Sequence, residues 1–470
     1  MIAKNKEENM KRSTQCIKKI VALLLLISIL LGTLTGCIVS REPATKEEIA
    51  ASVSATVEND SYGYDYVLYY LRQWRLPDFD TTKLFWAENV FKNYYVYNGG
   101  LPETLEHAAM TAEYFVENYY DNIDMTSKTA VTDAVIDSYV RTVGDPFSYY
   151  RTPQEASDFN SDMSGKFGGI GVMIEYDHNK ESITISSIIL DSPAEAAGFK
   201  VGDVIVGVDG RRVEDIGYLN AVNHVRGEIG TTVDVTVLRD GKELTLTATR
   251  AEVVERVVDY EITEDGYGYI LITDFKTITY EQFVEAYDAL EEAGVKGIIF
   301  DLRGNPGGYV ASVRDVLSYL LPTGNLIMSC HYKSGEPTLL NSLDDVHPKT
   351  GKTSDHVLNV PAIVLCNQYT ASSAEIFTSA LRDYSDTGLV NVTVVGEKTY
   401  GKGIMQSALY YSATDTSTLT FTSAYYNPPS GVNYHGIGIT PDLTVANSET
   451  EDLQLEAAIN ELKALINENN

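Results

Sequence analysis

Two short segments of the chain combine residue types that could carry out serine-dependent hydrolysis. Residues 370–375 read Thr-Ala-Ser-Ser-Ala-Glu after a predicted apolar strand, and residues 401–406 read Gly-Lys-Gly-Ile-Met-Gln. A serine is a weak nucleophile until a base within hydrogen-bond reach accepts its proton. None of the seven histidines lies in these segments, so Lys402 is the candidate base.

Lys402 can accept a proton only as a neutral amine, a form that burial favours. Gly401 and Gly403 would let the backbone pack closely around the lysine stem. Gln406 follows four residues later, which predicts that it lies one helical turn beyond Lys402. An amide there could orient the lysine, whereas a carboxylate would stabilise its protonated form. The pattern therefore predicts a serine, Lys402 and Gln406 acting together.

The oxyanion of such a reaction needs fixed backbone N–H donors. Ser373, the residue after the nucleophile at a predicted helix start, supplies one donor and the positive end of the helix dipole. The turn 301–308, Asp-Leu-Arg-Gly-Asn-Pro-Gly-Gly, offers another at Gly307-Gly308. It lacks the Gly-Lys-Ser/Thr ending of a phosphate loop. Alone, residues 370–375 would be an ordinary helix N-cap with Glu375 bonding back; their combination with Lys402 favours catalysis.

Strands that alternate with helices are predicted to hold these segments. From residue 253 the apolar pattern predicts an α/β core with a mainly parallel sheet. The predicted strands are 269–272, 297–300 and 362–366, and the predicted helices are 280–293, 310–321 and 372–384. Residues 455–466 form a predicted amphipathic terminal helix.

Residues 163–252 have a β pattern that resembles a PDZ domain of secreted bacterial proteases. The pattern includes a short helix between Ser192 and Gly198, a strand over 204–208, and a hairpin around the Asp240-Gly241 turn. The segment Gly168, Gly169, Ile170 and Gly171 could hold a C-terminal carboxylate while a peptide adds as a strand. The alternative for this segment is a structural glycine turn.

Residues 61–162 are predicted to be helical and are dense in aromatic residues, including Tyr94, Tyr95 and Tyr97. A small helical bundle cannot bury so many rings alone, so we expect them to pack on another domain or a second copy of the chain. A tyrosine-rich local core is the alternative.

Several motifs, taken in order, resemble those of the C-terminal processing peptidases (tail-specific proteases). They lie at 144–150, 225–231, 301–308, 370–375, 401–406 and 436–442. The resemblance implies a multidomain α+β chain with a helical N-terminal region, a PDZ domain and a ClpP/crotonase-like α/β core. It also implies serine endoproteolysis near substrate C-termini, without a metal or other cofactor.

The resemblance also assigns site residues by position. The assigned roles are the nucleophile Ser372, the base Lys402, the supporting amide Gln406, and the oxyanion-hole donors Gly308 and Ser373. The family usually reads Ala-Ser-Glu after the nucleophile, but this chain reads Ser373-Ala374-Glu375. Ser373 is therefore a competing candidate for the nucleophile.

The N-terminal segment predicts that the protein is located outside the cytoplasm. Residues 1–36 have a basic start and an apolar run of secretory length, and residues 34–37 resemble a bacterial lipobox that ends at Cys37. We expect residues 1–36 to be a lipoprotein signal peptide, Cys37 the lipidation site and 37–60 a tether; an uncleaved membrane anchor is the alternative.

Cys330 and Cys366 are predicted buried thiols, with a disulfide as the alternative.

These observations predict a membrane-tethered serine endopeptidase with domains at 61–162, 163–252 and 253–447, and a C-terminal helix at 448–470. The expected partners are protein substrates with apolar C-terminal tails and the membrane, together with a second copy of the chain or an activator protein as candidates.

A net charge of −30 argues against nucleic acid as a binding partner. Arg226 is a candidate for coupling the PDZ domain to the active site. Alternative functions are a noncatalytic PDZ adaptor and an acyl-ester hydrolase.

Overall fold

The structure is a computed structural model that describes residues 79–97, 104–177, 182–346, 353–354, 357–448 and 450–468. The predicted signal peptide, Cys37 and the tether lie outside the described residues. The chain divides into two compact units. The first contains residues up to Thr152 together with Ser407–Thr422, and the second contains Pro153–Gln406 and the residues from Ser423 onward. Within the described ranges, no helix has both the length and the apolar character needed to cross a membrane.

The first unit has a helical core of its own. Its elements before Thr152 are α1 (Thr81–Tyr94), α2 (Thr104–Asn118), α3 (Lys128–Arg141) and β1 (Tyr149–Arg151). The buried aromatic side chains of this core are Phe79, Phe91, Tyr95, Phe115, Tyr139, Tyr150 and Phe421. A tyrosine-rich local core, the alternative to packing on a second subunit, therefore accounts for much of the aromatic content.

The second unit begins with a helix and the β-rich domain. These elements are α4 (Pro153–Ser164), β2 (Lys166–Gly169), β3 (Val172–Asp177), β4 (Ser182–Ile188), α5 (Pro193–Ala197), β5 (Val204–Val208), β6 (Arg211–Arg212), α6 (Val213–Ile216), α7 (Tyr218–Val225), β7 (Thr232–Arg239), β8 (Lys242–Thr249) and β9 (Ala251–Val254). The order β3-β4-β5-β7-β8 places β3 at one edge of the described sheet. The predicted hairpin is confirmed, because Arg239 pairs with Lys242 across Asp240 and Gly241, which have φ angles of 51° and 75°.

The α/β core completes the second unit. Its elements are β10 (Val258–Ile262), β11 (Gly268–Ile272), α8 (Thr279–Glu292), β12 (Ile298–Asp301), α9 (Val310–Leu320), β13 (Leu326–Tyr332), β14 (Thr338–Asn341), β15 (Asp345–Val346), β16 (Thr353–Ser354), β17 (Ala362–Cys366), α10 (Ser373–Asp386), β18 (Val392–Gly396), β19 (Ile404–Tyr410), β20 (Thr418–Asn427), β21 (Leu443–Thr444) and α11 (Leu453–Glu468); of β19 and β20, residues 407–422 belong to the first unit. The main described sheet has the order β10-β11-β12-β17-β18-β21 and is parallel from β11 onward. The predicted mainly parallel sheet is therefore confirmed.

Both faces of this sheet are buried. Alternate residues of β12 face opposite layers: Ile298 and Phe300 join the core that includes residues of α8, α9 and α10, while Ile299 packs with α11 residues such as Leu462. Burial on both faces explains why the central strands are almost wholly apolar.

The strand order brings the predicted motifs to one edge of the sheet. Strands β12, β17 and β18 are parallel neighbours, so the segments that follow them leave the sheet at their shared carboxyl edge. Those segments are the turn 301–308, the turn before α10 and the loop that carries Lys402. Residues about 100 positions apart in sequence therefore meet in space.

Cys330 and Cys366 are separate buried thiols. Burial raises the pKa of Cys330 to about 11 and that of Cys366 to about 12, with a smaller raising effect from Glu375. Both side chains belong to the apolar core around α10.

Candidate active site

Ser372 lies at the N-cap of α10 in a strained conformation. Its φ and ψ angles are 56° and −119°, a region that non-glycine residues adopt at a cost of about 1–3 kcal/mol. Neighbouring contacts hold this turn: the Ala371 N–H donates to the Asn305 carbonyl at 3.0 Å, and the Ala374 N–H donates to the Ala371 carbonyl at 3.1 Å. The side chain is half-buried at the carboxyl edge of the sheet.

Glu375 joins two segments. One is the turn before α10 that carries Ser372 (the serine turn), and the other is the loop 397–403 that carries Lys402 (the lysine loop). The fully buried carboxylate of Glu375 accepts from the Ser372 N–H at 2.9 Å, the Lys402 N–H at 2.7 Å, the Gly401 N–H at 2.7 Å and the Thr399 hydroxyl at 2.6 Å. Burial raises the pKa of Glu375, and these donors oppose the effect. Four donors fill the four lone-pair positions of a carboxylate, so these contacts favour the ionised form of Glu375.

Lys402 lies half-buried in the loop between β18 and β19. A Cβ at Gly401 would be 2.7 Å from the backbone nitrogen of Gly438, and one at Gly403 would be 2.8 Å from that of His435. The flanking glycines therefore permit packing against the segment 434–438. This contact differs from the close packing around the lysine stem that the sequence suggested.

The helical spacing expected between Lys402 and Gln406 is wrong. Gln406 lies on the strand β19, which begins at Ile404, so the geometry of residues one helical turn apart does not apply. An extended chain advances about 3.3 Å per residue, against 1.5 Å in a helix. The half-buried Gln406 stands as a candidate supporting amide because of its residue type and position after the lysine loop.

The turn 301–308 after β12 (the glycine turn) contacts the serine turn. A Cβ at Gly307 would be 2.7 Å from the Ser372 Cβ and 3.0 Å from the Ser373 backbone nitrogen, so only glycine allows this approach. Among the described residues, neither the Gly308 N–H nor the Ser373 N–H has a hydrogen-bond acceptor. The turn thus presents two N–H groups next to Ser372.

The side chain of Ser373 has a structural contact that separates it from Ser372. It is fully buried, and its hydroxyl donates to the Gly308 carbonyl at 2.9 Å. This bond ties the start of α10 to the glycine turn. The competing candidate Ser373 is therefore enclosed, whereas Ser372 is partly open.

Sequence reasoning missed the role of Asn305 and the full role of Glu375. The buried Asn305 amide donates to the Ile272 carbonyl at 2.9 Å and its oxygen accepts from the Gly307 N–H at 2.8 Å, so it shapes the glycine turn from inside. Glu375 was recognised only as a capping residue. A polar residue within a segment that follows a buried strand was the available signal for Asn305.

An apolar groove lies between β3 and α7 of the β-rich domain. It is lined by Ile170, Gly171, Val172, Ile174, Ala221 and Val225. Of the predicted carboxylate-binding segment, Gly168 and Gly169 belong to strand β2, while Ile170 and Gly171 form the turn into β3. That turn lies at the groove, next to the edge strand.

Arg226 lies at the end of α7 and also lines the groove. Its guanidinium stacks on the Phe167 ring at 4.3 Å and lies 3.5 Å from an Asp162 carboxylate oxygen. Asp162 also contacts Lys276 at 3.4 Å. The neighbour of Lys276, Phe275, donates its N–H to the Gly307 carbonyl at 2.8 Å. A continuous set of contacts therefore connects the groove with the glycine turn.

Two family models match parts of the chain. The model described as Peptidase family S41 matches residues 266–445, and a PDZ domain model matches residues 168–249. The matches confirm the resemblance inferred from the motifs and the predicted fold class of a PDZ domain with an α/β core.

The chain also resembles individual proteases. It is 33% identical over 332 residues to the carboxy-terminal processing protease CtpA of Bacillus subtilis, covering 70% of this chain and 66% of that protein, just under two thirds. It is 30% identical over 345 residues to a probable CtpA-like serine protease of Staphylococcus saprophyticus, covering 72% of this chain and 67% of that protein. The solved photosystem II D1 C-terminal processing protease is similar at 24% identity with a TM-score of 0.46, covering 81% of this chain and 96% of that chain.

Replacement of Glu375 by glutamine should destabilise the serine turn and the lysine loop together. Each carboxylate oxygen accepts two donors, so the amide NH₂ of Glu375→Gln would face two donors in either orientation. We expect a loss of about 3 kcal/mol in the free energy of unfolding, measured by urea denaturation. Glu292→Gln, at an exposed glutamate that ends α8, is the control. Equal stability of the two variants would contradict the role given to Glu375.

Proposed function

The chain belongs to peptidase family S41, and we propose that it is a serine endopeptidase that binds substrate C-termini in its PDZ domain and cleaves near the tail. The observation that carries the proposal is the arrangement around Glu375. This carboxylate holds the Ser372 turn and the Lys402 loop together, with the glycine turn against them. An apolar groove suited to a peptide tail lies in the same unit.

In the proposed reaction the Ser372 Oγ attacks the carbonyl carbon of the scissile bond while Lys402 Nζ takes its proton. The N–H groups of Gly308 and Ser373 stabilise the oxyanion, and removal of one such donor typically slows catalysis about 10²–10³-fold. Lys402 then returns the proton to the leaving amine. Water hydrolyses the acyl-enzyme with Lys402 again as the base, and Gln406 supports the orientation of the lysine.

The substrates we propose are proteins with apolar C-terminal tails. A tail would add as a strand beside β3, the edge strand of the described sheet, and its apolar side chains would enter the groove. Within the segment Gly168–Gly171, Ile170 and Gly171 lie where the terminal carboxylate would reach the turn before β3. A tail bound there would supply the selectivity that a peptide-bond hydrolase needs for C-terminal sites.

Arg226 is proposed to transmit tail binding to the active site. Its ion pair with Asp162 is partly exposed, with 38% and 44% of the two side chains accessible, and such a pair contributes about 0–1 kcal/mol. A bound tail can therefore shift it easily. Lys276 is better anchored, because it is buried and also bonds Glu255 at 2.8 Å. It adjoins Phe275, whose N–H donates to the Gly307 carbonyl of the glycine turn.

We further propose that the enzyme is extracytoplasmic and held at the cell membrane by a lipid on Cys37, after removal of the signal peptide 1–36. The support is the basic start, apolar run and lipobox-like ending of the sequence. A second copy of the chain and an activator protein remain predicted partners. The local aromatic core of the first unit reduces the need for a second copy.

Ser372→Ala should abolish cleavage of an unfolded test protein that bears an apolar tail. Residues 38–470 are assayed, with Ser373→Ala as the matched variant. The latter loses one hydrogen bond, worth about 1–1.5 kcal/mol, and should be roughly fivefold to tenfold slower. Inactivity of Ser373→Ala with full activity of Ser372→Ala would reverse the assignment. Tail binding without cleavage by the parent protein would support an adaptor, and tail-independent turnover of simple esters would support an ester hydrolase.

Arg226→Ala should retain basal cleavage but respond less to an added tail peptide. Coupling between two sites is typically worth about 5–150-fold in affinity or response, so we expect at least a fivefold smaller stimulation, measured as cleavage rate against peptide concentration. Arg212→Ala, at a surface arginine of the same domain that pairs with Glu243, is the control. Equal stimulation of the two variants would reject the coupling role.

Cys37→Ser should release the protein from the membrane fraction of a bacterial host that processes lipoproteins. The thiol is the acceptor of the lipid, and serine cannot replace it. The measurement is the distribution of full-length protein between membrane and soluble fractions, with Cys16→Ser as the control. Retention of Cys37→Ser in the membrane would favour an uncleaved anchor.

A further inference from the structure

Tyr426 is a buried residue next to the candidate dyad that the reaction described above does not use. It lies near the end of β20, has 1% of its surface exposed, and packs edge-on against the Tyr434 ring at 5.8 Å. Its hydroxyl donates to the Lys402 carbonyl. Its N–H donates to the next carbonyl, that of Gly403, at 3.2 Å. One residue therefore holds two successive carbonyls of the lysine loop.

The contact with Tyr426 completes the fixation of the Lys402 backbone. The Lys402 N–H donates to Glu375 and the Lys402 carbonyl accepts from Tyr426, so side chains hold both of its polar backbone groups. Glu375 also accepts from the Ser372 N–H. The direction in which the lysine side chain leaves the loop is consequently set relative to the serine turn.

The phenol of Tyr426 is enclosed by the protein. Burial raises the pKa of Tyr426 far above its ordinary value, and the Tyr434 and Ser372 side chains oppose this with smaller lowering effects. The phenol therefore keeps its proton over the working pH range. A tyrosine hydroxyl has one proton to donate and two lone pairs that accept. That proton is directed to the Lys402 carbonyl.

We propose that Tyr426 is a positioning residue of the Ser372–Lys402 pair, whose hydroxyl fixes the Lys402 carbonyl. The inference rests on the proposed peptidase function. Ser372 has a strained backbone, and the lysine loop has a glycine on each side of its base. External contacts must therefore keep the nucleophile and base in one mutual arrangement, since small displacements of reacting groups slow catalysis strongly.

The test is Tyr426→Phe, which keeps the buried ring and removes only the hydroxyl. We expect kcat for the tailed test protein to fall at least tenfold. The KM and the affinity for a fluorescent tail peptide should stay within twofold of the parent values, because the groove is unaffected. The kcat–pH profile should keep its shape, since Tyr426 does not titrate in the reaction.

Two variants separate positioning from general stability. Tyr425→Phe alters the neighbouring half-buried tyrosine and should stay within twofold of the parent kcat. Asn433→Ala removes donors to the Gly403 and Tyr426 carbonyls, at 3.1 and 2.5 Å, and loosens the same loop without removing the Tyr426 hydroxyl. We expect it to lower the melting temperature at least as much as Tyr426→Phe while losing less than threefold in kcat.

The proposal is overturned if Tyr426→Phe keeps kcat within twofold of the parent. It is also overturned if Asn433→Ala loses as much kcat at an equal melting temperature, or if Tyr426→Phe fails to fold. Loss of an alkaline limb from the pH profile would instead make Tyr426 a titrating participant and reject a purely positional role. If the proposed peptidase function itself is wrong, the parent protein will cleave the test protein no faster than Ser372→Ala does.

Discussion

The buried carboxylate of Glu375 is the interaction on which the rest of the site depends. It accepts hydrogen bonds from the serine turn and from the lysine loop, two segments that are not adjacent in the sequence. A buried carboxylate is unfavourable unless its oxygens are fully hydrogen-bonded. The need of the buried Glu375 carboxylate for hydrogen-bond donors therefore holds the Ser372 and Lys402 backbones in one arrangement.

The parallel sheet makes that arrangement possible. Neighbouring strands β12, β17 and β18 end at one edge, so the glycine turn, the serine turn and the lysine loop emerge side by side. Burial of both sheet faces keeps the strand ends rigid. A rigid base can hold strain, and the positive φ of Ser372 persists because Asn305, Glu375 and the glycine turn together determine its position.

The contacts between the groove and the active site differ in kind from those inside the active site. Arg226 reaches Asp162 through a partly exposed ion pair, whereas Glu375, Asn305 and Tyr426 are buried and closely bonded. Exposed pairs are weak and easily rearranged, while buried networks hold one geometry. The molecule thus combines a buried network at the candidate active site with a partly exposed ion pair at its PDZ domain.

The sequence by itself determined the order of elements and the chemical residues, because apolar period, turn residues and motif order are local properties. It predicted the PDZ hairpin, the parallel core and the segments holding Ser372 and Lys402. It misjudged the Lys402–Gln406 segment, since four-residue spacing fits a helix but β-pairing made it a strand. It assigned the nucleophile to Ser372 but left Ser373 as a competing candidate, and it did not find Tyr426. Those distinctions depend on which side chains become buried and which distant backbone groups they meet, and only the tertiary structure decides that.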